Sequence, residues 1–438
     1  MLRPHIVILG AGFGGVYTAK KLAPLVRRGE LDVTIVNRTN SFLFTPLLHE
    51  VATGGLSPRT VAEPLREIFV GMGIRIIEGV AESIDPEERE VVVTGTDGQT
   101  GTKKLSLAYD YLVIATGAET NYYGIPGAAE NALPLKTLAD AARIRNRVIE
   151  AFEQASRAES AEARRALLSF AVVGGGPTGV EVAAELAEFA DTIAHRYFGD
   201  KALSEGISPS FALLNASKDL LEQFQPQLRQ AARTHLGRKG VRIMLEAAVT
   251  SITREGLMLA TGKAVPASLV VWAAGVKALF PKFVGQPAGQ PPLMPALTSG
   301  RLAVGPDFRL QGSDRIFAMG DAAAYVDPAP PASRPLPQLA QVAQAEASVV
   351  ARNIVALARG KPKALASFTY HSKGSLVSLG EWFAIGQIYS VRIKGGFAWW
   401  VWRTVYLSKF ASWKKRIRIG FEWFLQLFFT RDITKISL

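Results

Sequence analysis

The chain has 438 residues, 48% of them apolar, a formal net charge of +12 and no cysteine. That length allows two or three domains with separate cores, and the positive balance suits an anionic partner: nucleic acid, acidic lipid or a phosphorylated small molecule. The absence of cysteine excludes structural disulfides, thiolate nucleophiles, iron–sulfur clusters and Cys-ligated zinc, and no metal site is expected.

The chain opens on "HIVILGAGFGGVYTAKKLA". His5 to Leu9 is a short apolar run, the pattern of a buried parallel strand. Gly10, Gly12 and Gly15 then form G-x-G-x-x-G, with Gly14 inside the turn, and Val16 to Leu25 reads as a helix. The first glycine permits a sharp turn, the second lets a pyrophosphate approach the backbone, and the third lets helix and strand pack closely. Free N–H groups at the helix start face the phosphates. The N-terminus shows no separate apolar stretch followed by a cleavage site, so a cytoplasmic chain is expected.

The next strand, "DVTIVNRTN", carries Asn37 and Arg38 where an acid usually ends the strand to hold a ribose. Asn37 still offers a hydrogen bond to a hydroxyl; its alternative is to begin a turn. "YDYLVIATGAE" is a strand ending in Ala115, Thr116 and Gly117. Ile149 to Leu168 is a polar helical stretch with an exposed link. "FAVVGGGPTGVEVAAELAEFA" repeats the opening pattern, with Phe170 to Val173 as strand and Gly174, Gly176, Thr178 and Gly179 in the turn. Two such units point to two dinucleotides in two similar domains. The strand after the second turn, "FALLNASKDLL", again ends in an amide, Asn215, with Lys218 nearby. "DRIFAMGDAAA" is a strand ending in Gly320 and Asp321, where an acid before a helix suits a polyol hydroxyl or phosphate. "GQPAGQPPLMP" and "DPAPPASRPLP" are Pro-rich loops.

The segment Trp399 to Phe429 holds five of the seven tryptophans, and six cations against the single acid Glu422. Phe410, Trp413, Ile417, Phe421, Phe424 and Phe428 recur three or four residues apart, one apolar helical stripe, flanked by Lys414, Lys415, Arg416 and Arg418. Charges interrupt it too often for a spanning helix. A basic helix with an aromatic face is expected to lie in a membrane interface and to favour anionic lipid. "GGFAWWVW" begins a preceding helix of the same platform. A helix pair packed on the core is the competing reading; nucleic acid is set aside, since nothing else in the chain points to it.

The four motifs, in this order, resemble those of the two-dinucleotide-binding flavoprotein oxidoreductases. That resemblance implies FAD at Gly10, Gly12, Gly14, Gly15, Asn37, Arg38, Thr116, Gly117, Gly320 and Asp321. It implies a nicotinamide nucleotide at Gly174, Gly176, Thr178, Gly179 and Asn215. Zero cysteines removes the disulfide and sulfide:quinone reductases. "NSFLFTPLLHEVATGGLSP", "GGGPTGVEVAAELAEF", "PLPQLAQVAQAEASVVARNI" and "HSKGSLVSLG" resemble segments of type II NADH dehydrogenases, as does the C-terminal Trp/Arg/Lys segment.

The fold so implied is α/β: two Rossmann-like dinucleotide-binding domains, for FAD and NAD(P)H, plus a C-terminal amphipathic-helix membrane platform. The expected division is FAD domain 1–120, inserted NAD(P)H domain 121–280, second FAD part 281–370 and membrane-associating region 371–438. The implied activity is hydride transfer from NADH to FAD, then two electrons to a membrane quinone, without proton pumping. The implied setting is a peripheral homodimer on the cytoplasmic face of the inner membrane. Glu181, in the first turn of the second glycine helix, is the candidate for orienting the nicotinamide or relaying a proton, with Glu185 one turn on. Gln341, which is also assigned to the cofactor, and Lys373 are the quinone-side candidates. The family's A-Q-x-A-x-Q pattern is broken here: Ala345 stands at the last Gln position and Gln344 precedes it. Asn215 does not repel a 2′-phosphate, so NADPH use stays open beside NADH. A membrane-bound redox sensor, or a reductase of a soluble electron carrier, is the alternative function.

Overall fold

The computed structural model describes residues 3–97, 101–199, 208–285, 300–327, 335–410 and 412–437. Most of both Pro-rich loops lies outside the described residues. The chain forms two compact units: 1–43 with 62–119 and 276–371, and 44–61 with 120–275 and 372–438.

The first unit is built on a parallel sheet in the order Ile316–Ala318, Tyr111–Ile114, His5–Leu9, Asp32–Asn37, Arg75–Glu78. Its central strand, His5–Leu9, is buried from Ile6 to Leu9, as the unbroken apolar run requires. The helix Phe13–Arg27 follows it and packs on the helix Ala340–Ala358. Pro24 lies in the last turns of that first helix without ending it.

A second parallel sheet carries the other unit, in the order Ala132–Pro134, Leu269–Trp272, Ser169–Val173, Ser210–Leu214, Val241–Met244. The strand Ser169–Val173 begins one residue earlier than the sequence suggests and leads into the helix Pro177–Phe198. Ala, Val, Leu and Phe side chains alternate with acids along that helix, and its inner face is buried from Gly179 to Ala194. The helix Leu138–Arg157 starts with a capping box, Thr137 accepting from the Asp140 amide while Asp140 accepts from the Thr137 amide. The polar stretch from Ile149 to Leu168 falls on two helices, with Glu159 and Ser160 exposed in the link between them. It is the amphipathic end of this buried helix, then a short helix, Ala161–Leu167, with no buried residue.

The sequence points to a separate C-terminal region from 371, whereas residues 372–438 group with the nucleotide unit. A three-stranded antiparallel sheet, Gly374–Ser378, Ala384–Ile388 and Val391–Gly395, leads into the helices Gly396–Ser408 and Trp413–Leu425. Trp399, Trp402, Arg403, Ile419 and Trp423 turn inward and are buried. Only Trp400 and Trp413 of the five C-terminal tryptophans are exposed. Phe410 leaves the expected stripe: it lies between the two helices and stacks on Phe44 at 4.0 Å. Helical phase is lost there, so its spacing from Trp413 has no meaning for the exposed face. Trp413, Ile417, Phe421, Phe424 and Phe428 are all exposed. Among the described residues no helix is long and apolar enough to cross a membrane.

Candidate functional site

Each glycine turn is closed by its own backbone. Gly10 has φ +96°, and an added Cβ would overlap the Ala115 carbonyl; a Cβ on Gly15 would overlap the Gly10 carbonyl. In the second unit Gly174 has φ +122° and faces Ala273, and Gly179 faces the Gly174 carbonyl in the same way. At the middle glycines, Gly12 and Gly176, an added Cβ would meet nothing within 4 Å. Neither following helix has a side-chain cap at its N-terminus. The turns thus leave an open approach beside helix N–H groups, the setting a dinucleotide pyrophosphate requires.

Asn37 and Asn215 perform the same task. The Asn37 amide oxygen accepts from Ala11 N at 2.9 Å, and its NH2 donates to the Thr39 carbonyl at 2.8 Å. The Asn215 amide oxygen accepts from Gly175 N at 3.0 Å, and its NH2 donates to the Asp219 carbonyl at 2.8 Å. Each locks the residue after the first glycine of its turn. A carboxylate could accept from that amide but could not donate to the carbonyl. Asp219 in turn pairs with Arg229 and Arg233, both at 3.0 Å.

Around the first turn, Gly14 is buried beside Met319. The Thr116 hydroxyl donates to the Leu279 carbonyl, and the Gly117 carbonyl accepts from Leu279 N at 3.0 Å. Arg38 is exposed. Gly320, with φ +64°, donates its N–H to Glu346 at 2.6 Å. Two residues missed by sequence reasoning stand here. Glu346 is 3% exposed, and burial pushes its carboxyl up to about 7. Arg301 is buried, interacts electrostatically with Asp321 and Glu346, and leaves its Nε without a hydrogen-bond partner. A buried cation with an unspent donor beside Asp321 fits a bound phosphate. Gln341 lies half-buried in the first turn of Ala340–Ala358, in this unit; Gln344 and Ala345 are partly exposed.

In the second unit Glu181 is the fifth residue of its helix, whose first turn contains no acid. The expectation that Glu181 lies in the first turn of its helix is therefore corrected: it stands just beyond that turn. The Glu181 side chain is buried and accepts from Ser378 N at 3.3 Å. Burial, reinforced by the charges of Glu185 and Glu50, raises its carboxyl well above the usual range despite that N–H. The His49 ring nitrogen Nδ1 stands 3.8 Å from Glu181. Burial pulls His49 down to about 4, so at neutral pH its imidazole is uncharged and the contact is not an ion pair.

Glu181 belongs to a buried cluster. Glu185 and Glu188 follow it on the same helix face, and Glu50 comes from the helix Leu48–Ala52. Glu50 accepts from the Trp423 indole at 2.8 Å, and burial lifts its carboxyl to about 7 against the pull of Arg403. Arg403 lies 3.7 Å from the Trp399 ring centre and 5.0 Å from that of Trp423. Arg431 binds Glu185 at 2.5 Å and Glu188 at 2.7 Å. Lys239 also pairs with Glu188. The acids at 181, 185 and 188, spaced four and three in an apolar helix, were a readable sign of a buried acidic face. Glu50, in "LLHEVA", offered a weaker one, and Arg431 offered none. Lys373 is exposed, with its carbonyl accepting from Tyr389 N at 3.3 Å, and is not joined to this cluster. Thr178 is also exposed. No group of three or more possible metal ligands occurs among the described residues.

The family model for pyridine nucleotide-disulphide oxidoreductases matches residues 4–347, and the NDH2 C-terminal domain model matches 372–432. The chain belongs to the type II NADH dehydrogenases. It is 33% identical over 435 residues to the type II NADH:quinone oxidoreductase Ndh of Mycobacterium tuberculosis, covering 98% of this chain and 89% of that one. It is 29% identical to the demethylphylloquinone reductase NdbB of Synechocystis, covering 96% of each. The structure of NDH2 from Plasmodium falciparum in complex with NADH shares the fold, with a TM-score of 0.87 at 22% identity over 99% of this chain and 100% of that one. A type II NADH dehydrogenase accounts for both glycine turns in one chain, and its C-terminal domain covers the segment that sequence reading singled out.

Proposed function

We propose that this enzyme is an NADH:quinone oxidoreductase that uses FAD and does not pump protons. The single observation that carries the reading is the pairing of two closed glycine turns with a buried acid face behind only the second one. When bound, FAD takes a hydride from NADH and returns two electrons to a quinone. We assign Gly10, Gly12, Gly15, Gly320, Asp321 and Arg301 to holding FAD, and Gly174, Gly176 and Gly179 to holding NADH. Asn37 and Asn215 act through the turns they lock. This revises their expected role as ribose ligands, because both ends of each amide are engaged by backbone.

Quinone reduction also takes two protons. A carboxyl that holds its proton more tightly than usual can carry one to the quinone, and burial raises Glu181 in that direction. Gln341 and Lys373 are proposed on family resemblance to serve the quinone side. The exposed stripe Trp413, Ile417, Phe421, Phe424 and Phe428, with Lys414 and Arg418 beside it, supports docking on an anionic lipid surface. A peripheral homodimer at the cytoplasmic face of the inner membrane completes the proposal.

Steady-state reduction of a short-chain quinone with NADH and with NADPH, with flavin bleaching followed in parallel, tests the function. Quinone-dependent NADH oxidation by a yellow protein is expected. A flavin that bleaches with NADH but is not reoxidised by quinone would overturn it and favour the redox-sensor reading.

A further inference from the structure

The last residues of the chain form an extended strap after the helix Trp413–Leu425. The Arg431 side chain, only 7% exposed, is its innermost element. It spans Glu185 at 2.5 Å, Glu188 at 2.7 Å and Glu381 at 3.5 Å. Beyond it Asp432 meets Arg145 at 2.9 Å, and the Ile436 backbone exchanges two hydrogen bonds with Asn146, at 2.7 and 2.8 Å. The strap is thus fastened to the helix Leu138–Arg157. A polar cavity opens beside it, lined by Glu50, Glu185, Ser378, Glu381, Arg403 and Arg431.

Anchoring alone does not call for this arrangement. The Asp432 and Ile436 contacts already fix the strap, and an arginine buried among carboxylates brings a large desolvation cost unless its pairing is complete. Here it is complete enough that Glu185, though fully enclosed, stays below the ordinary carboxylate range: burial would raise it, and the charge and hydrogen bond of Arg431 lead the groups that outweigh burial. Glu185 lies one turn from Glu181, and its charge adds to burial in raising the Glu181 carboxyl.

We propose that Arg431 is a positioning residue for proton handling: by pairing with the Glu185 carboxylate one turn from Glu181, it leaves the proton of this carboxyl pair on Glu181. The inference rests on the reading of Glu181 as the proton-giving acid. Glu185 and Glu188 interact with Arg431 as one coupled unit, so the apparent pKa values belong to the cluster. The other titratable or charged groups facing it are His49, Glu50, Lys239, Glu381, Arg403 and Tyr406.

The test is the pH profile of flavin reoxidation by a short-chain quinone in the holoenzyme, for wild type, R431Q, R431K, E185Q and the R431Q/E185Q double variant. Removing Arg431 lets Glu185 take a proton, so Glu181 loses a neighbouring charge that raises its carboxyl. The alkaline limb of the profile then moves to lower pH. R431Q and E185Q are each expected to shift it by about 1 unit, and the double variant by the same amount, because both act through the charge of Glu185. R431K should leave the limb in place. An unmoved limb in R431Q, or shifts that add in the double variant, overturns the inference and leaves Arg431 as an anchor. E185Q keeps Arg431 paired with Glu188 and Glu381, so it carries the same prediction alone if R431Q does not fold. The parent reading fails separately, if E181Q reoxidises at the wild-type rate; a slow E181Q with an unmoved R431Q limb defeats this inference only.

Discussion

The helix after the first glycine turn buries Phe13, Val16, Ala19 and Leu22, whereas the helix after the second buries Glu181 and Glu185 among its alanines and valines. The turns themselves are alike: the same glycine geometry, the same backbone closure, the same asparagine lock on the following amide. Since the first helix packs without any acid on its inner face, the fold does not need carboxyls at these positions. Burying them costs free energy unless they are partnered. The likeness of the turns therefore reports a shared task, binding a dinucleotide, and the difference behind them reports what only the second unit does.

The comparison is most easily broken at the first glycine of each turn. G10A should purify largely colourless, and G174A should keep its flavin while NADH affinity falls at least ~1000-fold, about 4 kcal/mol. In both, the positive φ and the overlap with neighbouring backbone forbid a side chain. Flavin absorbance and an NADH titration read the two outcomes; parallel losses of FAD and NADH in both variants would show that the turns do not act separately.

Much of this was legible. The strand His5–Leu9, both glycine turns and the exposed stripe from Trp413 to Phe428 follow from local apolar period and turn chemistry. What was hidden depends on long-range packing. Nothing near Arg431 marks it as buried, because its partners Glu185 and Glu188 lie more than 240 residues away in sequence. Arg301 and Glu346 were equally silent, each being an ordinary charged residue until the fold brings both to the Gly320–Asp321 turn. The inward tryptophans were misjudged for the opposite reason: composition shows an aromatic, basic tail, but only packing tells which rings face protein.

A second prediction sharpens the contrast through a buried acid of the first unit, Glu346. Glu346 is raised to about 7 in the folded enzyme by burial. Its contribution to stability is therefore full below the unfolded carboxyl value and is lost as pH rises through about 7. E346Q keeps the acceptor for Gly320 N and does not ionise. Wild type should lose about 3 kcal/mol relative to E346Q between pH 4.5 and pH 8. Thermal unfolding of both holoenzymes at the two pH values checks this, and a constant difference in midpoint would contradict it.

A smaller effect is expected at the locks. N37A and N215A each leave a turn amide without its acceptor, at a cost of about 1 kcal/mol. N37A should loosen FAD about fivefold and N215A should loosen NADH by the same factor. Isothermal titration distinguishes these from a ribose-binding role, in which N37D and N215D would bind their cofactors at least as tightly as wild type.

The central claim, that the acid face behind the second turn handles protons, is tested most directly by stopped-flow measurement of E181Q. E181Q should retain a full complement of FAD, with flavin reoxidation by short-chain quinone slowed ~10- to 100-fold, about 1–3 kcal/mol of transition-state stabilisation. Wild-type rates in both flavin reduction by NADH and reoxidation by quinone would contradict it.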